Sequence, residues 1–247
     1  MIKRILQISI LILPITWACK NIITADQIVN KAIEKAGGET FDRSDIKFSF
    51  RDMNYRIIRQ NETFSMFRYS LLDSNEVEDI YSNKGFQRKI NGISVALPDS
   101  MQQKYTSSIN SVIYFALLPY RLNDAAVLKK YLGTSTIIDK TYDVIQVTFE
   151  EEGGGEDHED VFIYWIDTQN STIDFLAYSY KTDGGGFRFR EAYNARIIEG
   201  IRFVDYINYK PTSEPQSLLE LMEVYKKDEL EELSRIELFN ISVEAID

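Results

Sequence analysis

"DVFIYWIDTQNSTIDFLAYSY" (160–180) holds two strand patterns joined by the short polar turn "TQNST". On a strand, side chains two apart share a face. Val161, Ile163 and Trp165 before the turn, and Phe175 and Ala177 after it, therefore make one apolar face. A joint this short permits only an antiparallel hairpin, because parallel pairing needs a long crossover. "GGGFRFREAYNARIIEGIRF" (184–203) continues with the same alternation, adding Phe187 and Phe189 to that face.

The pattern extends in both directions. "DIKFSFRD" (45–52), "YRIIRQ" (55–60), "TFSMFRYSL" (63–71), "EVEDIYSN" (76–83), "GFQRKING" (85–92) and "ISVALP" (93–98) read as strands with short polar joints. Further strands are predicted at 136–139, 143–150, 160–167, 173–181, 187–197 and 201–209. Helical spacing interrupts the series. "TADQIVNKAIEKAGGE" (24–39) has Thr24 as N-cap with Gln27 three residues on, an apolar face of Ile28, Ala32, Ile33 and Ala36, and Gly37-Gly38 as the stop. In 99–122, Ile109, Val112, Ile113, Phe115, Ala116 and Leu117 form a broad apolar face ended by Pro119. "DAAVLKKYLG" (124–133) reads as a further short helix. After Pro211 and Pro215, "SLLELMEVYKKDELEEL" (217–233) is ambiguous, and "SRIELFNISVEA" (234–245) reads as a single last strand. The fold class expected is α+β: one curved antiparallel sheet, a half-barrel, wrapped around the N-terminal helix and the inserted helical segment. No repeat or low-complexity linker divides it, so 24–247 is read as one domain.

The start of the chain has its own logic. Lys3 and Arg4 precede an apolar run from Ile5 to Ala18, too short for a spanning helix, which needs about 20 apolar residues. Cys19, the only cysteine, follows at once. The site resembles the lipobox of bacterial lipoproteins, with Thr16 where an aliphatic residue is usual. The resemblance implies a signal peptide at 1–18, lipidation at Cys19 and a tether at 19–23; the alternative is ordinary cleavage leaving a free thiol. The protein is expected to be membrane-anchored through that lipid, on the outer membrane; no acidic cluster resembling a surface-export signal follows Cys19, which favours the periplasm-facing side. The full chain carries 28 Lys and Arg against 38 Asp and Glu, a net charge of −10. That balance repels nucleic acid and anionic lipid headgroups. One cysteine allows no internal disulfide, and 15 Tyr and 14 Phe supply a core.

The order of helix, meander, helical insert and second meander resembles the lipoprotein-carrier fold (LolA/LolB-like), most specifically at "YWID" (164–167) and "EGIRF" (199–203). The chain looks closer still to a family of Bacteroidota lipoproteins of unknown role. The resemblance implies a strongly curved sheet around helices with an apolar hollow between them. It carries over no functional residue.

Two triple-glycine loops, at 153–155 and 184–186, are separated by one turn and so belong on the same rim of a meander. Centring the "TQNST" turn on Asn170 sets Asp160 opposite Tyr180 and His158 opposite Thr182. Centring the next loop on Gly185 sets Tyr180 opposite Arg190 and Thr182 opposite Arg188. His158, Asp160, Tyr180, Arg188 and Arg190 then gather on one face as a candidate rim site. The face bearing Trp165, Phe175 and Phe189 is the expected helix-covered core. Paired arginines suit a carboxylate or phosphate, and His158 with Asp160 has the makings of a base and its orienter. The ordinary reading of such a cluster is an exposed salt-bridge network on an outer face. Tyr114, Phe115, Tyr120 and Trp165 are candidates for an apolar pocket, or simply for core.

Other chemistries find little. The glycines lack a phosphate-loop signature, and no nucleophile elbow is present. One histidine makes a zinc site untenable. The acidic stretch Glu150, Glu151, Glu152, Glu156, Asp157 and Glu159 lacks the ordered spacing of a calcium loop. No metal or cofactor is expected. Two functions remain: a non-enzymatic lipoprotein binding an acyl chain, another hydrophobic ligand or a protein partner, and an enzyme or anion-binding protein acting at the His158/Asp160/Arg188/Arg190 rim, its catalytic residues unknown.

Overall fold

The computed structural model describes residues 23–155 and 158–246. The signal and lipidation readings, Cys19 included, and Glu156 and Asp157 of the acidic stretch lie outside the described residues. Helix α1 (Ala25–Ala36) opens with a reciprocal cap: Thr24 Oγ1 accepts the Gln27 N–H at 3.2 Å, and the Gln27 side chain accepts the Thr24 N–H at 3.0 Å. Gly37, at φ 143°, ends it; a Cβ there would stand 3.1 Å from Phe41 and 3.2 Å from Ile201.

Strands β1 (Arg43–Phe50), β2 (Met53–Gln60), β3 (Thr63–Leu72), β4 (Asn75–Ser82), β5 (Gly85–Ile90) and β6 (Ile93–Val95) form a meander. Helix α2 (Asp99–Ala116) follows. A second meander runs through β7 (Val127–Ile137), β8 (Lys140–Phe149), β9 (Val161–Asp167), β10 (Ile173–Tyr180), β11 (Gly186–Ile198) and β12 (Ile201–Pro211). Helix α3 (Glu220–Lys226), β13 (Leu230–Ile236) and β14 (Phe239–Ala245) complete the chain. The architecture is α+β, an open curved antiparallel arrangement in two hydrogen-bonded sheets, β14-β1-β2-β3-β4-β5-β6 and β13-β12-β11-β10-β9-β8-β7.

Two segments differ from the sequence reading. Residues 124–133 are not a helix; strand β7 begins at Val127 and pairs with β8, Val127 opposite Phe149 and Tyr131 opposite Ile145. Its Ala, Leu and Lys content favours helix, but pairing along the whole of β8 outweighs local propensity. The last strand is two strands. β13 pairs with β12 and β14 with β1, so the chain steps from one sheet to the other at residues 237–238.

Both long helices sit on the inner side. Ile28, Val29 and Ala32 of α1, with Tyr114 of α2, pack on Ile145, Phe162, Tyr164 and Leu176 of the second sheet. Ile109 and Ile113 of α2 pack on Phe48, Ile57 and Met66 of the first. The opposite face of the second sheet carries Trp165, Phe175 and Phe189 and is covered by Leu221 and Met222 of α3. Each large aliphatic or aromatic side chain so buried contributes roughly 1.5–3 kcal/mol.

Where the sheets meet, Leu238 leaves both ladders, and its backbone is satisfied by side chains. Asp205 of β12, 2% exposed, accepts the Leu238 N–H at 3.0 Å, Asn194 Nδ2 at 2.6 Å and Arg196 Nη2 at 3.0 Å. Arg196 also donates to the Leu238 carbonyl at 2.6 Å. Removing one member of such a buried ionic network costs about 3–5 kcal/mol. Asp205→Ala is expected to lose stability of that order in urea unfolding and to speed hydrogen exchange at the Leu238 amide; unchanged protection there would overturn the assignment.

Asp167 closes the β9–β10 turn. Burial alone would raise its carboxyl pKa, but the backbone N–H groups of Asn170 and Gln169, at 2.9 and 2.7 Å, outweigh that and hold it below the usual value. A depressed pKa contributes stability above the unfolded value of about 3.9 and loses it as pH falls through the folded value. The acid-side slope of unfolding free energy is therefore expected to shrink in Asp167→Asn.

Candidate functional site

Between α2 and the inner face of the second sheet lies a cavity of about 420 Å³, bordered by the glycine loop 153–155. Its volume falls in the roughly 300–1,000 Å³ range of ligand sites. The hollow has a sequence cause. Thr106, Ser107, Asn110, Ser111, Tyr114 and Phe115 recur three and four apart along α2 and line it. The first four are too small to reach the sheet, while Ile109 and Ile113 on a neighbouring stripe are fully buried.

The apolar wall is aromatic. Phe162 of β9 stacks on Tyr178 of β10, with centroids 5.2 Å apart, and Phe149 of β8 meets Phe162 edge-on at 5.8 Å. Phe115 lies 5.5 Å from Tyr178, and Tyr114 stands edge-on to Phe115 at 5.5 Å. Below this wall, the hydroxyls of Tyr114 and Tyr164 share a buried hydrogen bond of 2.8 Å, and burial pushes both phenols up.

The polar wall includes Asp160, Tyr180, Arg188 and Arg190, together with Arg121, which pairs with Asp124 at 2.6 Å. Arg190 donates through Nη2 to Tyr178 Oη at 2.8 Å and through Nε to Asn208 Oδ1 at 3.4 Å, and lies 3.9 Å from the centroid of the Phe115 ring. Arg188 donates to the Phe187 carbonyl at 2.8 Å and lies 5.1 Å from the centroid of the Tyr180 ring. Beyond Phe115 and Arg190 is a second, more apolar cavity of about 210 Å³, reaching Val112, Val204, Ile236 and Leu238. Ser111, Phe115 and Arg190 border both cavities and form the partition between them.

Four of the five residues read as a rim site thus line one cavity; His158 does not, and its Nδ1 lies 3.1 Å from the Gly155 carbonyl oxygen. The hairpin centred on Asn170 is present, with Phe175 opposite Trp165 and Ser179 opposite Val161. The next turn is centred at 183, two residues earlier than Gly185: Tyr180 faces Gly186 and Tyr178 faces Arg188. Each partner therefore shifts by four residues, an even number, so Arg188 and Arg190 keep their face.

The assignment of faces is reversed. Helices α1 and α2 cover the side bearing Asp160 and Arg190, both buried; they do not cover the side bearing Trp165, which faces α3. The ordinary reading of an outer salt-bridge network fails for the same reason. Of the proposed apolar pocket, Tyr114 and Phe115 line the cavity. Tyr120 instead stacks on Phe41 at 4.4 Å and donates to Asp42, and Trp165 borders a shallow outer depression. Phe149, Phe162 and Tyr178 are the lining residues the sequence reading passed over. Their signal was available: β9 is apolar at every position from 161 to 166, as strands buried on both faces are.

Residues 7–238 match the model of a family of unknown function, DUF6503. The chain belongs to that family. No curated protein matches it. Among solved structures it is similar to a LolA superfamily protein from Nitrosomonas europaea, with a TM-score of 0.47 and 12% identity over 92% of this chain and 94% of that one. It is also similar to a DUF1329 family protein from Desulfovibrio piger, with a TM-score of 0.44 and 12% identity over 89% and 92%. Lipoprotein LppX of Mycobacterium tuberculosis matches at a TM-score of 0.28 and 9% identity over 65% and 91%. Among the described residues no cluster of three or more His, Cys, Asp or Glu is placed to hold a metal ion, and no helix is long and apolar enough to cross a membrane.

The partition gives a direct test of this DUF6503 site. Phe115→Ala is expected to join the two cavities and to lower stability by about 3 kcal/mol. A crystal structure of the variant checks the first outcome and denaturant unfolding the second.

Proposed function

We propose that this chain is an exported lipoprotein, anchored through lipidated Cys19 and facing the periplasm from the outer membrane, that binds an apolar or amphipathic ligand such as an acyl chain without catalysing a reaction. On this reading residues 1–18 are removed, 19–23 form the tether, 24–247 act as one unit, and the chain is one of the Bacteroidota lipoproteins it resembles. The observation that carries the binding half is the cavity of about 420 Å³ between α2 and the second sheet, walled by Tyr114, Phe115, Phe149, Phe162 and Tyr178. Aromatic walls give a flexible chain a large contact area with little directional demand. The anchoring half is supported by Lys3, Arg4, the short apolar run and Cys19. Several acyl chains on one terminus hold firmly where one alone is marginal.

The acid–base version of the rim site gains no support from geometry, because its imidazole, His158, is not among the residues lining the cavity.

Two measurements test the proposal. Native mass spectrometry of the gently purified protein is expected to show a co-purified amphiphile. Cys19→Ser is expected to shift the protein from the membrane to the soluble fraction while leaving ligand binding intact. An empty cavity that takes up no added acyl compound would sink the binding half, and membrane association that survives Cys19→Ser would sink the anchor. If the Phe115 partition limits length, Phe115→Ala also moves the preferred chain length upward.

A further inference from the structure

We propose that Arg190 and Arg188 form a subsite for the oxyanion head of an amphiphile, a carboxylate or a phosphate, inside the cavity. This rests on the reading of the cavity as an acyl-binding site and adds the chemistry of the ligand's head.

Two arginines are buried among the described residues, and the protein treats them differently. Arg68, 6% exposed, is paired with a carboxylate: Asp79 accepts from its Nε at 3.1 Å and its Nη2 at 2.7 Å, and is shared with Arg88. Arg190, 7% exposed, has only neutral partners: the Tyr178 hydroxyl, the Asn208 amide oxygen and the Phe115 ring. Among the described residues no carboxylate stands within ion-pair distance of Arg190 or of Arg188. Among the described residues no acceptor meets Arg190 Nη1. A guanidinium stays protonated at any accessible pH, so this is a buried charge awaiting a counter-ion, and a buried unpaired charge costs several kcal/mol.

The two guanidiniums stand on one face of β11, two residues apart, about 7 Å along the strand. Arg188 is level with Phe162 and Tyr178, and Arg190 with Tyr164 and Leu176. Two aspartates also line the cavity. Asp124 is paired with Arg121. Asp160 lies four residues before Tyr164 in the chain, about 13 Å from the level of Arg190 and about 7 Å from that of Arg188 at roughly 3.3 Å per residue. The cavity is thus locally positive at its inner end in a chain of net charge −10. An arginine fork donates two parallel hydrogen bonds to an oxyanion. A neutral ester or alcohol in the same place leaves the charge uncompensated, and that penalty is the basis of selection.

Equilibrium binding of three probes to the full protein tests this: hexadecanoate, hexadecyl phosphate and the neutral methyl hexadecanoate. At least one acid is expected to bind ten or more times tighter than the ester, and the tighter acid identifies the head as carboxylate or phosphate. Arg190→Gln, and separately Arg188→Gln, are expected to bring the acids to the level of the ester and leave ester binding unchanged. Arg188 has a single protein hydrogen bond, so its variant keeps the test valid should Arg190→Gln fail to fold. Equal binding of acids and ester by the wild type overturns the anion subsite and leaves the acyl-binding reading standing, as does an acid preference that survives in both variants. Binding of none of the three overturns both.

Discussion

The molecule depends on a single crossing. Strands β13 and β14 are consecutive, yet they belong to different sheets, so the chain leaves one ladder at Ile236 and enters the other at Phe239. Leu238 between them is buried, and its backbone pairs with neither sheet. Its polar groups need partners all the same. Asp205 and Arg196 supply them from β12, one accepting the Leu238 N–H and the other donating to its carbonyl. Because the carboxylate and guanidinium also bind each other, neither of those two charges is left uncompensated. Leu238 and Ile236 border the inner cavity, so the same joint sets the relation between the first sheet, the second and the hollow.

Helix α2 provides the second constraint. It enters from β6, at the free edge of the first sheet, and leads to β7, at the free edge of the second. It is fixed to both. Ser108 accepts from Arg68 of β3 at 2.8 Å, and the Tyr114 hydroxyl meets that of Tyr164 on β9. Held at two points, the helix cannot settle fully on either sheet, and its small polar stripe from Thr106 to Ser111 leaves space uncollapsed. A void in a protein interior costs stability unless something fills it. A cavity lined with aromatic rings and an unpaired arginine is therefore a feature whose cost calls for an occupant.

Much of this was legible in the sequence, for local reasons. Period-two alternation and short polar joints determine antiparallel neighbours, and the reciprocal cap at Thr24 and Gln27 marks where α1 starts. The turn at Asn170 even gives the register of β9 on β10. What was not legible depends on tertiary competition. Residues 124–133 have helical composition, and only the presence of β8 alongside makes them a strand. The register of β11 rests on where the 181–185 loop is centred, and sequence does not fix that to within two residues. The face of β9 was undecidable by alternation, because 161–166 is apolar throughout. Trp165, the largest residue there, drew the reading towards the wrong side. Tyr120 followed a similar course: its phenol reaches Asp42 and its ring reaches Phe41, contacts between segments far apart in sequence.

That ambiguous strand explains how a polar cavity and a stable sheet coexist. In a sheet with one wet face, the single dry face must carry all the burial. Here β9, β10 and β11 are covered twice. On the outer side, Trp165 and Phe175 each lie about 6 Å from Phe189, and Tyr225 of α3 stacks on Phe189 at 4.8 Å. That layer is apolar at its centre, with Glu191 and Asp174 accepting from the Tyr209 and Tyr142 hydroxyls at its margin, and it supplies a second apolar core to the same strands. The inner side, close-packed where α1 covers Ile145, Tyr164 and Leu176, can therefore stay open beside α2 and keep Asp160, Arg188 and Arg190 next to Phe162 and Tyr178 without loosening the strands that present them. The short C-terminal helix, remote from the cavity, is on this argument the element that permits the cavity to be polar.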